Sequence, residues 1–170
     1  MSNDSSDIVA FIFVIYGVIF LFMFLFLIAY YIVMSIALSR FFKKVGVEPW
    51  IAWVPYYNTW KWLEVGGHPG WLALLSLAGG GIVASIFLYI GMYRTGIAFR
   101  KDTGFLVLGI FLPFVWAFLL GRDEEQYHPE WITAAGYPPP LAGYGSMPRQ
   151  AYQQPPPYQA PPPYQPPPSV

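Results

Sequence analysis

The chain has 170 residues, with nine Lys plus Arg against nine Asp plus Glu, 56% hydrophobic, 20% aromatic and only 11% charged. About a quarter of a soluble globular domain is charged, so this is not the composition of an ordinary cytosolic protein. Zero net charge, with no basic cluster longer than Lys43-Lys44, gives no footprint for nucleic acid, and the lack of cysteine excludes disulfides, thiolate metal sites and a cysteine nucleophile.

A polar N-terminus, residues 1–7, precedes the first apolar segment. From Ile8 to Leu38 no residue is charged, and about 20 helical residues span a bilayer core. A transmembrane helix is therefore expected over 8–39, long enough at about 46 Å to tilt or project from the core. Ser35-Ile36-Ala37 resembles a signal-peptide cleavage site. The stretch before it is nevertheless far longer than a signal core, and the leading residues carry two Asp and no basic residue. Arg40, Lys43 and Lys44 follow the helix directly, so the positive-inside rule puts the N-terminus outside the cell membrane and Arg40 in the cytoplasm.

Residues 40–70 form an aromatic segment. Trp50, Trp53, Trp60, Trp62 and Trp71 supply five of the seven Trp, joined by Tyr56 and Tyr57, and such rings favour the headgroup level. Pro49 opens a short helix, Pro55 breaks it, Asn58 caps the next, and Gly66-Gly67 ends that one. Two interfacial helices are expected. The alternative reading makes Tyr56, Tyr57, Asn58, Lys61 and Glu64 the lining of a polar pocket, with Lys61 and Glu64 at pairing distance on a helix.

The second apolar candidate is Trp71–Tyr93, interrupted by Gly79-Gly80-Gly81. The triple glycine marks a kink, a close contact or the tip of a re-entrant hairpin. Gly80-xxx-Ala84 and Gly81-xxx-Ser85 are small-xxx-small pairs suited to internal helix packing or to self-association. After a basic loop at 94–103, a third candidate within 104–121 has Pro113 in its middle and is marginal as a span, since Phe105 to Leu120 reaches about 24 Å.

Three crossings place six basic residues inside and three outside; a re-entrant Gly79–Gly81 hairpin with an exiting third segment gives seven and two. Three crossings, with a cytoplasmic C-terminus, are preferred because a re-entrant tip needs cover that a small protein lacks.

Residues 122–170 read as a disordered tail, with 13 of the 18 prolines in the last 34 residues. Its end repeats every six residues as Tyr152-Gln-Gln-Pro-Pro-Pro, Tyr158-Gln-Ala-Pro-Pro-Pro and Tyr164-Gln-Pro-Pro-Pro-Ser. In polyproline II geometry these tyrosines line one edge about 19 Å apart. The tail is either a spacer or a multivalent ligand, since Pro155-Pro156-Pro157-Tyr158 and Pro161-Pro162-Pro163-Tyr164 suit aromatic-lined grooves.

No pattern points to catalysis. His68 and His128 lie far apart, Asp123, Glu124 and Glu125 form a short charge run, and the apolar segments carry no ionisable residue of the kind that marks ion paths. Gly145-Ser146-Met147-Pro148 mimics a signal-peptidase serine motif, but Pro148 directly follows Met147 and no lysine base lies downstream of Lys101. No cofactor or metal is expected.

Several motifs follow one another in a fixed order: Arg40-Phe-Phe-Lys-Lys44, Glu48-Pro-Trp50-x-Ala-Trp-Val-Pro55-x-Tyr-Asn58, Gly67-His-Pro-Gly-Trp71, Phe99-Arg-Lys with Thr103-Gly-Phe105, Phe111-Leu-Pro-Phe114 and Gly121-x-x-x-x-Gln-Tyr127. Over about residues 36–127 this order resembles an uncharacterised domain-of-unknown-function family of small bacterial integral membrane proteins, sometimes mislabelled signal peptidase I or exoprotein. That family usually has Pro and Asn where this chain has Ala78-Gly-Gly-Gly81. The resemblance implies a membrane fold and no chemistry.

The expected protein is thus an all-α, multi-pass membrane protein with three apolar helices, one of them kinked or re-entrant, interfacial aromatic helices and a disordered Pro/Tyr-rich tail. Its expected role is a non-enzymatic anchor or scaffold, with the bilayer as partner and proteins recruited through the tail. The alternative is a transporter accessory or small-molecule binder using Tyr56, Asn58, Lys61 and Glu64.

Overall fold

An uninterrupted apolar run makes one long helix, α1, from Ser2 to Val45. The computed structural model describes residues 2–146, with side-chain environments from Asp7 onward; the expectations placed on Tyr152, Tyr158 and Tyr164 lie outside the described residues. α1 divides into two functional lengths. Every residue from Ile8 to Val33 is exposed, a stretch of about 39 Å. Beyond it Ser35, Ala37, Leu38, Phe41, Phe42 and Val45 are buried against the remainder of the chain. The helix outruns the expected end at residue 39 because Lys43 and Lys44 suit the negative end of its dipole, and it stops at Gly46, whose φ of 84° is left-handed.

The aromatic segment folds back along α1. A 3-10 turn, Pro49–Trp53, is followed by α2, Tyr57–Val65, which ends at Gly66. Ser39 Oγ donates to Pro49 O at 3.0 Å, and Tyr31 Oη donates to Trp53 O at 2.7 Å. The chain thus runs from the level of Ser39 back to the level of Tyr31 before α2 returns. At the reversal Tyr57 N donates to Pro55 O at 2.7 Å across Tyr56, whose φ is 62°. This is a γ-turn held by a non-glycine residue, a strained geometry costing about 1–3 kcal/mol.

The second apolar candidate is not one helix. Gly70–Ala78 is a 3-10 helix, Gly79 turns the chain with a φ of 81°, and α3 runs from Gly81 to Ala98. Gly80 N donates to Leu75 O at 2.7 Å, and Leu72 and Ala73 of the first arm pack with Phe87 and Leu88 of the second and with Leu63 of α2. Trp71–Tyr93 as a single span is therefore corrected to a hairpin. The third candidate is corrected likewise. It splits into α4, Thr103–Phe111, and α5, Pro113–Leu120, because Pro113 has no N–H to continue the ladder and Leu112 is non-helical at φ −132° and ψ 66°. The arms fold together: the Phe105 and Trp116 rings are 6.1 Å apart, and Lys101 Nζ meets Glu125 Oε1 at 2.7 Å across the open ends.

All three reversals lie at one end of the domain, the tip. Phe114 meets Tyr30 edge-on at 6.2 Å, while a Cβ on Gly121 would lie 2.8 Å from Arg40 Cβ, so α5 runs antiparallel to α1 from tip to base. α3 ends at the base, where Ala98 O accepts from His128 N and the Phe99 ring packs on Phe41 and Tyr127. Its other end, with Gly79 and Gly80, is therefore at the tip.

Residues 122–146 are folded, which corrects the expectation of a disordered tail beginning at Arg122. α6, Glu130–Ala134, packs on α3, and the chain then crosses the base as a strap. Leu141 N donates to Glu64 O and Tyr144 N to Val45 O, both at 2.7 Å, with Ile132, Pro140 and Ala142 buried. Backbone pairing of a few residues holds a segment whose composition alone looks unable to fold. Among the described residues the elements are all helical, without a strand, and two helices, α1 from Asp7 and α3, are long and apolar enough to cross a membrane.

Candidate functional site

The expected pocket residues do not surround a common cavity. Trp50, Trp53, Tyr56 and Tyr57 are exposed, with the Trp50 and Tyr57 rings 6.3 Å apart. Asn58 serves its own turn: Nδ2 donates to Ala52 O at 3.3 Å, and Oδ1 accepts from Thr59 N at 2.5 Å and Thr59 Oγ1 at 3.1 Å. The N-cap of α2 is Tyr56 rather than Asn58.

Lys61 and Glu64 do meet, and more tightly than a solvated face requires. Glu64 is 6% exposed and accepts from Lys61 Nζ at 2.6 Å and Trp60 Nε1 at 2.8 Å, while the Lys61 ammonium lies 5.7 Å from the Tyr57 ring centre. Both carboxylate oxygens are satisfied, and the backbone carbonyl of Glu64 holds Leu141 of the strap. This cluster locks α2 to the base. Glu64→Ala should destabilise the protein by about 2–3 kcal/mol and Lys61→Ala by about 1 kcal/mol, since Lys61 is partly exposed and Trp60 still satisfies the carboxylate in its absence. Urea unfolding followed by tryptophan fluorescence checks both; equal losses would mean the pair contributes only as a pair.

The small-residue positions are also spent internally. A Cβ on Gly80 would lie 3.1 Å from Leu75 Cβ, Ala84 is buried, and Ser85 Oγ donates to Gly81 O at 2.9 Å within α3. A close backbone approach lies at Gly66, which caps α2, where a Cβ would strike the Cα of Gly91 in α3.

Beside that crossing stand His68 and Arg94. His68 is buried edge-on against Phe87 at 5.2 Å, and Arg94 Nη1 donates to Gly66 O at 3.3 Å beneath the Tyr137 ring. Burial first, and the neighbouring Arg94 charge second, push the His68 imidazole below its ordinary pKa, so it is neutral at pH 7. Farther along the base His128 stacks on Trp131 at 4.1 Å and pairs with Glu130 at 2.9 Å. Glu130 is held below the usual carboxylate range by its own backbone N–H and then by His128, whereas burial pushes the Tyr127 phenol up. Ser146 Oγ donates to Gly143 O at 2.7 Å. Among the described residues no three His, Asp or Glu gather where they could hold a metal ion.

Two cavities lie at the base, away from the aromatic segment. One, of about 610 Å³, is bounded by Arg40, Lys43 and Lys44 of α1, by Gly121–Glu124 after α5, and by Tyr144 of the strap. A second, of about 350 Å³, lies among Phe99, Arg100, Glu124–Gln126, His128 and Trp131, with the Arg100 guanidinium 4.3 Å from the Trp131 ring centre. The only sequence signal for the first was the basic cluster after the apolar run; that Arg122 and Tyr144 join it is a tertiary fact.

Fold and site together define an all-helical domain of three apolar hairpins on a polar base, joined to an exposed apolar helix. Residues 50–130 match a family of unknown function (DUF5684), and over this stretch the chain is similar to that uncharacterised family. The matched stretch contains all three hairpin tips and ends at the first residue of α6, and it does not include α1. No curated protein and no solved structure matches the chain.

Proposed function

We propose that the protein is a non-enzymatic anchor of the cell membrane, in which α1 crosses the bilayer once, the hairpin tips dip into it from the cytoplasmic side, and the C-terminal tail recruits protein partners. One observation carries this reading: the separation of apolar and basic surface. Ile8–Val33 is exposed throughout, and the tips add Trp53, Leu77, Ile82, Val83, Ile86, Phe111 and Leu112, all exposed. Surface of this extent has no place in water but suits lipid. The base gathers Arg40, Lys43, Lys44, Arg94, Arg100, Lys101 and Arg122, and Lys61 lies partway along α2, while residues 1–7 carry no basic residue. With one crossing, every Lys and Arg of the described residues falls on the cytoplasmic side, a better agreement with the positive-inside rule than three crossings permit. Tyr144 packs on Gly46 at the base, so in this reading the described chain ends on the cytoplasmic side.

The absence of native cysteine makes single-cysteine labelling the direct test. An impermeant maleimide should label Ser5→Cys on intact cells, and Thr103→Cys only when the cytoplasmic face is opened. Labelling of Thr103→Cys from outside would restore three crossings and sink the hairpin disposition. Truncation after Ser146 should leave the protein carbonate-resistant in membranes and remove its crosslinked partners; an unchanged partner set would count against recruitment by the tail.

A further inference from the structure

Most cations at the base have a local purpose: Lys101 pairs with Glu125, Arg122 with Glu124, Arg100 covers Trp131 and Arg94 holds Gly66 O. The remaining three are set apart by converging on one cavity. Arg40, Lys43 and Lys44 have no carboxylate partner within 4.0 Å among the described residues, and all three border the 610 Å³ cavity. Arg40 lies over the Phe118 ring at 5.5 Å, and Lys44 reaches only the backbone carbonyl of Asp123 at 3.4 Å. The close approach that Gly121 allows between α5 and α1 forms the cavity, since any side chain there would meet the Arg40 backbone at 3.0 Å.

The charge balance favours an anion. Arg122 and Glu124 offset one another, and Asp123 is the remaining carboxylate against three free cations. Even after the roughly half-unit negative ends of α1 and α5, the cavity keeps a positive excess. Helix-end compensation alone thus does not account for so many cations. The exposed Tyr144 adds a phenol that can donate to an anion. Position along α1 favours a lipid: Arg40 lies two residues after Leu38, the last apolar residue of the run, at the end of α1 that the anchor reading turns toward the cytoplasmic headgroups. We infer that this cavity binds the phosphate of an anionic phospholipid headgroup, which would hold the base of the domain against the cytoplasmic leaflet. The inference deepens the membrane-anchor reading and rests on it for the source of the phosphate.

The test uses the full chain in neutral detergent, titrated with dihexanoyl phosphatidylglycerol, dihexanoyl phosphatidylcholine or inorganic phosphate and read by native mass spectrometry. Phosphatidylglycerol should bind about tenfold more tightly than either of the others. Lys43→Gln/Lys44→Gln should weaken it about tenfold, while the charge-matched Arg100→Gln/Lys101→Gln changes it less than about twofold. Asp123→Asn should tighten it, a gain that misfolding cannot imitate. Inorganic phosphate binding as tightly as phosphatidylglycerol would overturn the lipid assignment in favour of a soluble phosphate. Equal losses in the two double variants, or no preference for phosphatidylglycerol, would overturn the site. Short-chain lipids reach the cavity whether or not α1 crosses a bilayer, so failure here differs from failure of the labelling experiment.

Discussion

Replacing Gly66 by Ala is expected to destabilise the protein by more than about 3 kcal/mol, the upper range for forced overpacking. Gly66 closes α2 at φ −77°, a conformation open to any residue, so the loss comes entirely from space. The added Cβ would enter the backbone of Gly91 in the middle of α3, and neither backbone can rotate away as a side chain would. The reciprocal change is milder, because a Cβ on Gly91 stands 3.1 Å from Gly66 Cα and needs a shift of only a few tenths of an ångström. About 1 kcal/mol is expected there. Because this crossing positions Glu64 and His68 and lies beside the strap, Gly66→Ala should also loosen the base. Denaturant unfolding in mild detergent measures the loss; equal small effects at both glycines would mean that the helices separate freely.

Trp116→Ala is expected to cost about 3–5 kcal/mol, and Trp116→Phe only about 1–2 kcal/mol. Trp116 is fully buried where α1, α2, α4 and α5 meet, with ring centres 5.2 Å from Phe41, 5.8 Å from Trp62 and 6.1 Å from Phe105. Gly109 makes room for it, since a Cβ there would lie 2.7 Å from the indole. The indole N–H has no hydrogen-bond partner among the described residues, so phenylalanine forfeits volume and not a bond. Unfolding midpoints of the two variants separate these contributions; a loss for Trp116→Phe matching that for Ala would reveal an unrecognised role for the N–H.

The breaks in the chain were legible, but the angles at those breaks were not. Pro49, Pro55 and Gly66 delimit the aromatic elements where expected, and Pro113 and Gly79 interrupt the two later apolar segments. A kinked crossing and a full reversal have the same hydropathy and the same proline or glycine. Which of them forms depends on partners: Met92 against Gly109, Phe105 against Trp116, Lys101 against Glu125. Without knowledge of those contacts a re-entrant tip looked short of cover. The hairpins supply it to one another by packing side by side at the end of α1. The strap is hidden from composition for a related reason. Residues 137–146 contain three prolines and two glycines, yet Pro140 and Ala142 are buried and two backbone N–H groups pair with Glu64 and Val45. Backbone pairing with distant carbonyls leaves no mark on composition.

At the candidate sites the same division holds. The spacing of Lys61 and Glu64 allowed an ion pair on α2, but the burial that makes it matter comes from the strap and from Trp60, whose indole donates to the carboxylate. Asn58 lies beside them in the chain and is spent on its own turn.

By itself the sequence determined the apolar run of α1, the crowding of tryptophan, the polar first seven residues and the positions at which helices stop, because hydropathy, charge order and backbone preference are local properties. Only the tertiary structure decided that two apolar segments reverse, that Gly66 and Gly91 meet backbone to backbone, and that Arg122 and Tyr144 complete a basic cavity with Arg40, Lys43 and Lys44. Those features depend on which residues distant in the chain become neighbours, and that is settled by how the three apolar hairpins pack into a main and a smaller buried cluster.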